Sequence, residues 1–249
     1  MALLCLALLC AAPARALDAS GPAPAGPVSS AASAAVTGDD ADWARVQPWI
    51  AAAPDVQALP VEGERAEATL QRLRIAPQST LGALVRHVGG LLIDHGWLRV
   101  RGAGSARMRR ALADAGDGLA SKDASGRPTL LLVADDVLGG VFAIDQGALG
   151  EDRGKVVYLA PDTLRWEPLG LDYDAFLAWS LSARVPQFYR SQRWPGWEAE
   201  VGRLDADQAL SVRPYLWAEG PPIWTRTRKP VPAAQLLRET LAMRRQVAP

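Results

Sequence analysis

An α+β domain, with a mainly antiparallel sheet flanked by helices, is the fold this sequence predicts, and three observations lead there. The 249-residue chain carries 49% hydrophobic and 22% charged residues, which is ordinary globular composition and long enough to bury a sizeable core. Its apolar spacing runs from helical, to a series of alternating or wholly apolar segments, and back to helical, without regular βαβ alternation. The segments of the middle series are joined by glycine-containing connections short enough for antiparallel neighbours.

The elements follow in order. Ala66, Leu70 and Leu73 lie on one helical face. Ser79 is placed to cap a second helix carrying Leu81, Leu84, Val85 and Val88, stopped by Gly89 and Gly90. After the apolar run 91–93, Asp94-His95-Gly96 reads as a turn, and residues 97–101 alternate as a strand with Arg99 and Arg101 on one face. Residues 108–119 are predicted helical. Residues 129–134 form an apolar run of strand length, expected at the centre of the sheet, and 141–145, 155–160 and 165–167 follow as further strands. Asp172 is placed to cap a helix bearing Phe176, Leu177 and Trp179, with shorter helices expected over 187–191 and 196–202 and a last one over 233–246.

The N-terminus reads as an export signal. Residues 2–12 are apolar and uncharged, and Ala14-Arg15-Ala16 offers small residues for cleavage ahead of Leu17, although no Lys or Arg precedes the apolar run. That run is too short to span a bilayer, which takes about 20 residues, so no integral membrane segment is expected in the mature chain. Cys5 and Cys10 fall inside residues 1–16, and the processed, periplasmic or secreted protein would hold no disulfide, zinc thiolate or thiol nucleophile. Residues 17–42, rich in Ala, Gly, Pro and Ser, read as a flexible linker ahead of a single domain over 43–249, with folding expected to begin near Trp43.

Lys plus Arg balance Asp plus Glu at 27 each, so no global field draws in nucleic acid. No phosphate loop, dinucleotide fingerprint, zinc-ligand spacing or Gly-x-Ser-x-Gly elbow is present, and no cofactor or metal is expected. The run 134–145 joins two strands through Asp135, Asp136, Gly139 and Gly140. Paired carboxylates suit acid and base work, and a hydrolase using Asp135 or Asp136 with His95 is the enzymatic alternative. Adjacent residues on an extended chain point to opposite sides, however, and Asp commonly accepts backbone N–H bonds in turns, which favours a structural role. His87 and His95 are read as surface or turn residues. Nine Trp stand against three Phe. The stretch 189–198 gathers Tyr189, Arg193, Trp194 and Trp197, the residue types enriched at binding hot spots, and these four are the candidate contacts for a protein or peptide partner. Trp194 and Trp197 stapling a helix onto the sheet is the structural alternative. Arg226, Arg228 and Lys229 form a locally basic stretch, read as a solvated connection to the last helix.

Six blocks in order carry a family resemblance: residues 90–100, 134–143, 158–166, 176–179, 188–197 (with Phe188-Tyr189 and Arg193-Trp194-Pro195-Gly196-Trp197) and 228–232. Over about residues 81–243 the chain resembles the bacterial domain-of-unknown-function family numbered 2625, a likeness that implies no reaction. A more distant similarity, in the strand, acidic turn, strand and Phe-Leu helix arrangement, is to the SUKH superfamily of α+β proteins, many of them immunity proteins that bind toxins. An exported chain departs from the cytosolic setting of such proteins. Together these readings predict a non-enzymatic protein- or peptide-binding module of the cell envelope.

Overall fold

A computed structural model describes residues 38–114, 121–150 and 153–247; the expected signal segment, and all but the end of the expected linker, lie outside them. The architecture is α+β. Strands β1 (Val56–Leu59), β2 (Gly90–Ile93), β3 (Leu98–Arg101), β4 (Leu130–Asp136), β5 (Val141–Asp145), β6 (Val156–Leu159) and β7 (Trp166–Pro168) form one sheet. Its spatial order is the chain order, every pair is antiparallel, and β4 is central as its apolar run predicts.

Helices α1 (Gly38–Ala52), α2 (Gly63–Leu73), α3 (Thr80–His87), α4 (Tyr173–Ser180), α5 (Arg184–Phe188) and α6 (Trp197–Val201) contribute to the main core with Leu91, Val100, Ala134, Phe142 and Tyr158 of the sheet. Two predicted caps form: Ser79 Oγ accepts from Gly82 N at 3.0 Å, and Asp172 Oδ1 from Ala175 N at 2.9 Å, each satisfying an N–H that the first helical turn leaves open. Helix α1 begins at Gly38, ahead of the expected start near Trp43; it packs on α3, with Trp43 stacked on His87 at 4.4 Å. On the other face Leu132, Val141 and Leu159 pack against Leu237 and Leu241 of α7 (Ala233–Val247).

Two expectations are corrected. Residues 108–111 are not helical and only Leu112–Asp114 makes a 3-10 turn; the rest of the expected helix, 115–119, lies outside the described residues. The first bond of such a helix, Leu112 N to Met108 O, is not made: Leu112 N donates to Gly102 O and Met108 O accepts from Ser105 N, both at 2.8 Å. Arg109 N and Arg110 N donate to the Asp207 carboxylate at 3.0 and 3.2 Å, and Met108 is fully buried beside Leu59 and Leu92. The second correction is a small ribbon, β8 (Gln208–Arg213) with β9 (Thr227–Pro232), where a solvated connection was expected. It is fastened to the β4–β5 turn by Leu210 N donating to Val137 O at 2.6 Å.

Asp207→Ala removes the carboxylate that ties down the backbone of Arg109 and Arg110. Faster amide exchange at Arg109 and Arg110 and a stability loss of about 1–3 kcal/mol are expected in exchange and urea-unfolding measurements.

Candidate functional site

A bulge between Leu132 and Ala134 decides what the acidic hairpin does. Leu132 lies on the α7 side with Val141, whereas Ala134, opposite Phe142, lies on the other. The extra residue shifts the alternation by one, so Asp135, opposite Arg99, faces the α7 side, and Asp136, opposite Leu98, faces the main core.

On the α7 side Asp135 meets three arginines. Its Oδ1 accepts from Arg110 Nη1 at 2.6 Å and lies 3.5 Å from Arg101 Nε; its Oδ2 lies 3.7 Å from Arg99 Nη1. Arg110 also reaches Asp207 Oδ1 at 3.1 Å and the Ala206 carbonyl at 2.7 Å. Burial would raise the Asp135 pKa, but Arg110, Arg101 and Arg99 hold it below the usual carboxylate range. Burial lowers Arg99 to about 10 despite Asp135.

On the core side Asp136, fully buried, accepts four hydrogen bonds: from Leu138 N and Gly140 N at 2.9 Å, from Tyr158 OH at 2.8 Å and from Tyr189 OH at 3.2 Å. Burial raises its pKa even so, and burial next to Asp136 pushes both phenols well above their ordinary value, so they stay protonated donors. Gly140 is required by this arrangement: a Cβ there would collide with Asp136 Oδ2 and the Tyr158 hydroxyl. The glycine makes room for the hairpin's own carboxylate.

The hydrolytic constellation is not assembled. A narrow void touches Asp135 and Asp136 but not His95, and the cleft that His95 lines holds neither aspartate. The carboxylate beside His95 is Asp55, 4.0 Å from Nε2. Among the described residues no group of three or more His, Cys, Asp or Glu could hold a metal.

The aromatic and arginine stretch is placed inward. Tyr189, Trp194 and Trp197 are 0, 4 and 8% exposed, and all three rings surround Trp97 at 5.1–5.6 Å between centroids. Trp194 Nε1 donates to Glu200 at 2.7 Å under the Arg228 guanidinium, itself bound to Glu200. Arg193 pairs with Asp94 and lies 4.1 Å over the Trp197 ring, whose face receives His95 edge-on at 5.6 Å. These residues buttress the β2–β3 turn, where Asp94, His95 and Gly96 all have left-handed backbones with φ of 55, 58 and 82°. That turn rims an open cleft of about 390 Å³, lined also by Ala53, Asp55, Gln57 and Arg107.

A family model described as "Protein of unknown function DUF2625" matches residues 33–236. The chain belongs to this family. It is 40% identical over 202 residues to the Escherichia coli (strain K12) protein named "Putative uncharacterized protein YbfG", covering 81% of this chain and 91% of that one. It is 35% identical over 175 residues to an "Uncharacterized protein" of Haemophilus influenzae, covering 70% and 77%. No solved structure matches it.

This DUF2625 chain shows its exposed aromatics elsewhere. Among the described residues the large apolar side chains most open to solvent are Leu149, Trp217 and Trp224, at 39, 36 and 57%. Both tryptophans lie on the β8–β9 loop, where Arg226 donates to the carbonyls of Pro214, Tyr215, Ala218 and Pro221, and Trp217 stacks on Tyr215 at 5.5 Å beneath Arg213. The sequence marks 224–230 as a locally basic stretch and gives residues 213–223 no signal beyond the surplus of tryptophan.

Asp135 and Asp136 bend the acid stability profile in opposite directions. Asp135, depressed when folded, stabilises above its unfolded value near 3.8 and loses that contribution as pH falls through its lower folded value. Asp136, raised when folded, makes stability rise as pH falls through its folded value toward 3.8. Urea unfolding across the acid range is expected to show a flattened low-pH limb in Asp135→Asn and a flattened upper limb in Asp136→Asn. Asp135→Ala, which takes the nearest carboxylate from buried Arg99 and Arg101 while Arg110 keeps Asp207, is expected to lose about 3–5 kcal/mol at neutral pH.

Proposed function

We propose that this protein is a non-enzymatic module of the cell envelope that binds a protein or peptide partner. The observation that carries the reading is the β8–β9 loop, which presents Trp217 and Trp224 to solvent on a backbone tied by one arginine to four carbonyls. Exposed aromatics supply most of the energy at typical interfaces, and a loop already held in place loses little conformational entropy when it docks. The partner surface is therefore assigned to this loop, and Tyr189, Arg193, Trp194 and Trp197 act beneath the surface. Further support comes from the carboxylates of the acidic hairpin, which are engaged in holding the sheet, the helices and α7 together. The apolar residues 2–12 and the Ala14-Arg15-Ala16 site support export. No helix among the described residues is long and apolar enough to cross a membrane.

Peptides selected from a displayed random library on the full chain are expected to bind Trp217→Ala/Trp224→Ala at least about tenfold more weakly. Selected peptides that keep their affinity for the double variant, or a selection that enriches none, overturn the reading. Mass spectrometry of protein from an envelope fraction is expected to find Leu17 as the first residue; an unprocessed chain confined to the cytosol would refute export.

A further inference from the structure

The cleft beside the β2–β3 turn holds opposite charges that do not neutralise each other. Arg107 Nη1 donates to Gln57 Oε1 at 2.5 Å and pairs with no carboxylate among the described residues. Asp55 is 61% exposed at its side chain and lies 4.0 Å from His95 Nε2, with no ion pair to Arg107. Arg107 and Asp55 both line the cleft, and among the described residues no ion pair joins them. Leu92, on the same face as its register partner Gln57, gives the cleft an apolar wall.

The rim is pre-set. Asp94 and His95 hold left-handed backbones that non-glycine residues adopt at a cost. What keeps them there is buried packing behind the cleft: the Arg193–Asp94 pair, the Arg193–Trp197 stack and the Trp197–His95 edge contact. Backbone strain sustained by the surrounding structure at the mouth of an open cleft is characteristic of binding sites. A volume of about 390 Å³ suits a small molecule.

We propose that this cleft binds a free α-amino acid. The carboxylate of the ligand takes the Arg107 guanidinium, its ammonium takes Asp55, and its side chain lies against Leu92. A simple anion would meet Arg107 but be repelled by Asp55, and a simple cation the reverse, whereas a zwitterion satisfies both groups with its two charges on a single carbon. This site is separate from the aromatic loop, and its fate does not touch the partner-binding reading.

The test is a titration of the ¹⁵N-labelled full chain with each of the twenty common amino acids, read at the amides of Gly96 and Gly202, then repeated with the N-acetyl and carboxamide derivatives of any binder. Saturable shifts with at least one amino acid are expected, and each derivative, having lost one charge, is expected to bind about tenfold or more weakly. Arg107→Gln and Asp55→Asn, both at exposed side chains, are expected to impose the same loss with an otherwise unchanged spectrum. No shift with any amino acid, equal binding of the N-acetyl or carboxamide form, or full affinity in Arg107→Gln would each overturn the proposal.

Discussion

One extra residue in the central strand governs the polar interior of this protein. The bulge between Leu132 and Ala134 reverses the alternation of β4 just before its two aspartates, and each then meets a different set of partners. Asp135 compensates three arginines on the α7 side, and Asp136 collects two backbone amides and two phenols on the core side. Asp136 has both carboxylate oxygens hydrogen-bonded, whereas Asp135 holds Arg99 and Arg101 by charge alone, with its Oδ2, Arg99 Nη1 and Arg101 Nε making no hydrogen bond. The hairpin thereby joins β3, β4, β6, the 108–111 segment, Asp207 and the Tyr189 turn into one unit. A pair of aspartates that looks like chemistry in the sequence is the polar centre of the architecture.

The same economy explains the aromatic stretch. Trp97 closes the β2–β3 turn and its three ring partners come from the segment 189–197, so that segment and that turn hold each other. Arg193 serves both contacts, as the ion partner of Asp94 and as the cation over Trp197. Desolvation strengthens such a charge and raises the penalty for misplacing it. The left-handed turn at Asp94 and His95 is the visible result.

Much of this was legible beforehand. The caps at Ser79 and Asp172, the central place of β4 and the separation of adjacent aspartates all follow from local rules acting over a few residues. What escaped depends on distant partners. No local rule places a bulge in an evenly apolar run such as Leu130–Asp136. The 108–114 segment has helical spacing, yet its first helical bond is lost because Leu112 N turns to Gly102 O and Met108 O to Ser105 N. Strand β9 contains Lys229, Pro230 and Pro232, poor strand formers that an exposed two-stranded ribbon tolerates. Trp194 and Trp224 sit in similarly basic, proline-bearing surroundings, and nothing within either segment says that one ring is covered and the other open.

The sheet in which neighbours in space are neighbours in the chain has a consequence for how the molecule assembles. Each new strand adds to the one made just before it, so loop closure demands little and the meander can zip in the direction of synthesis. Ala206, Asp207 and α7, which help cover the arginines of β3 and the 108–111 segment, come late in the chain. Water therefore leaves those guanidinium groups last, and a ribosome-bound chain short of its final helix would keep a wet, half-closed face.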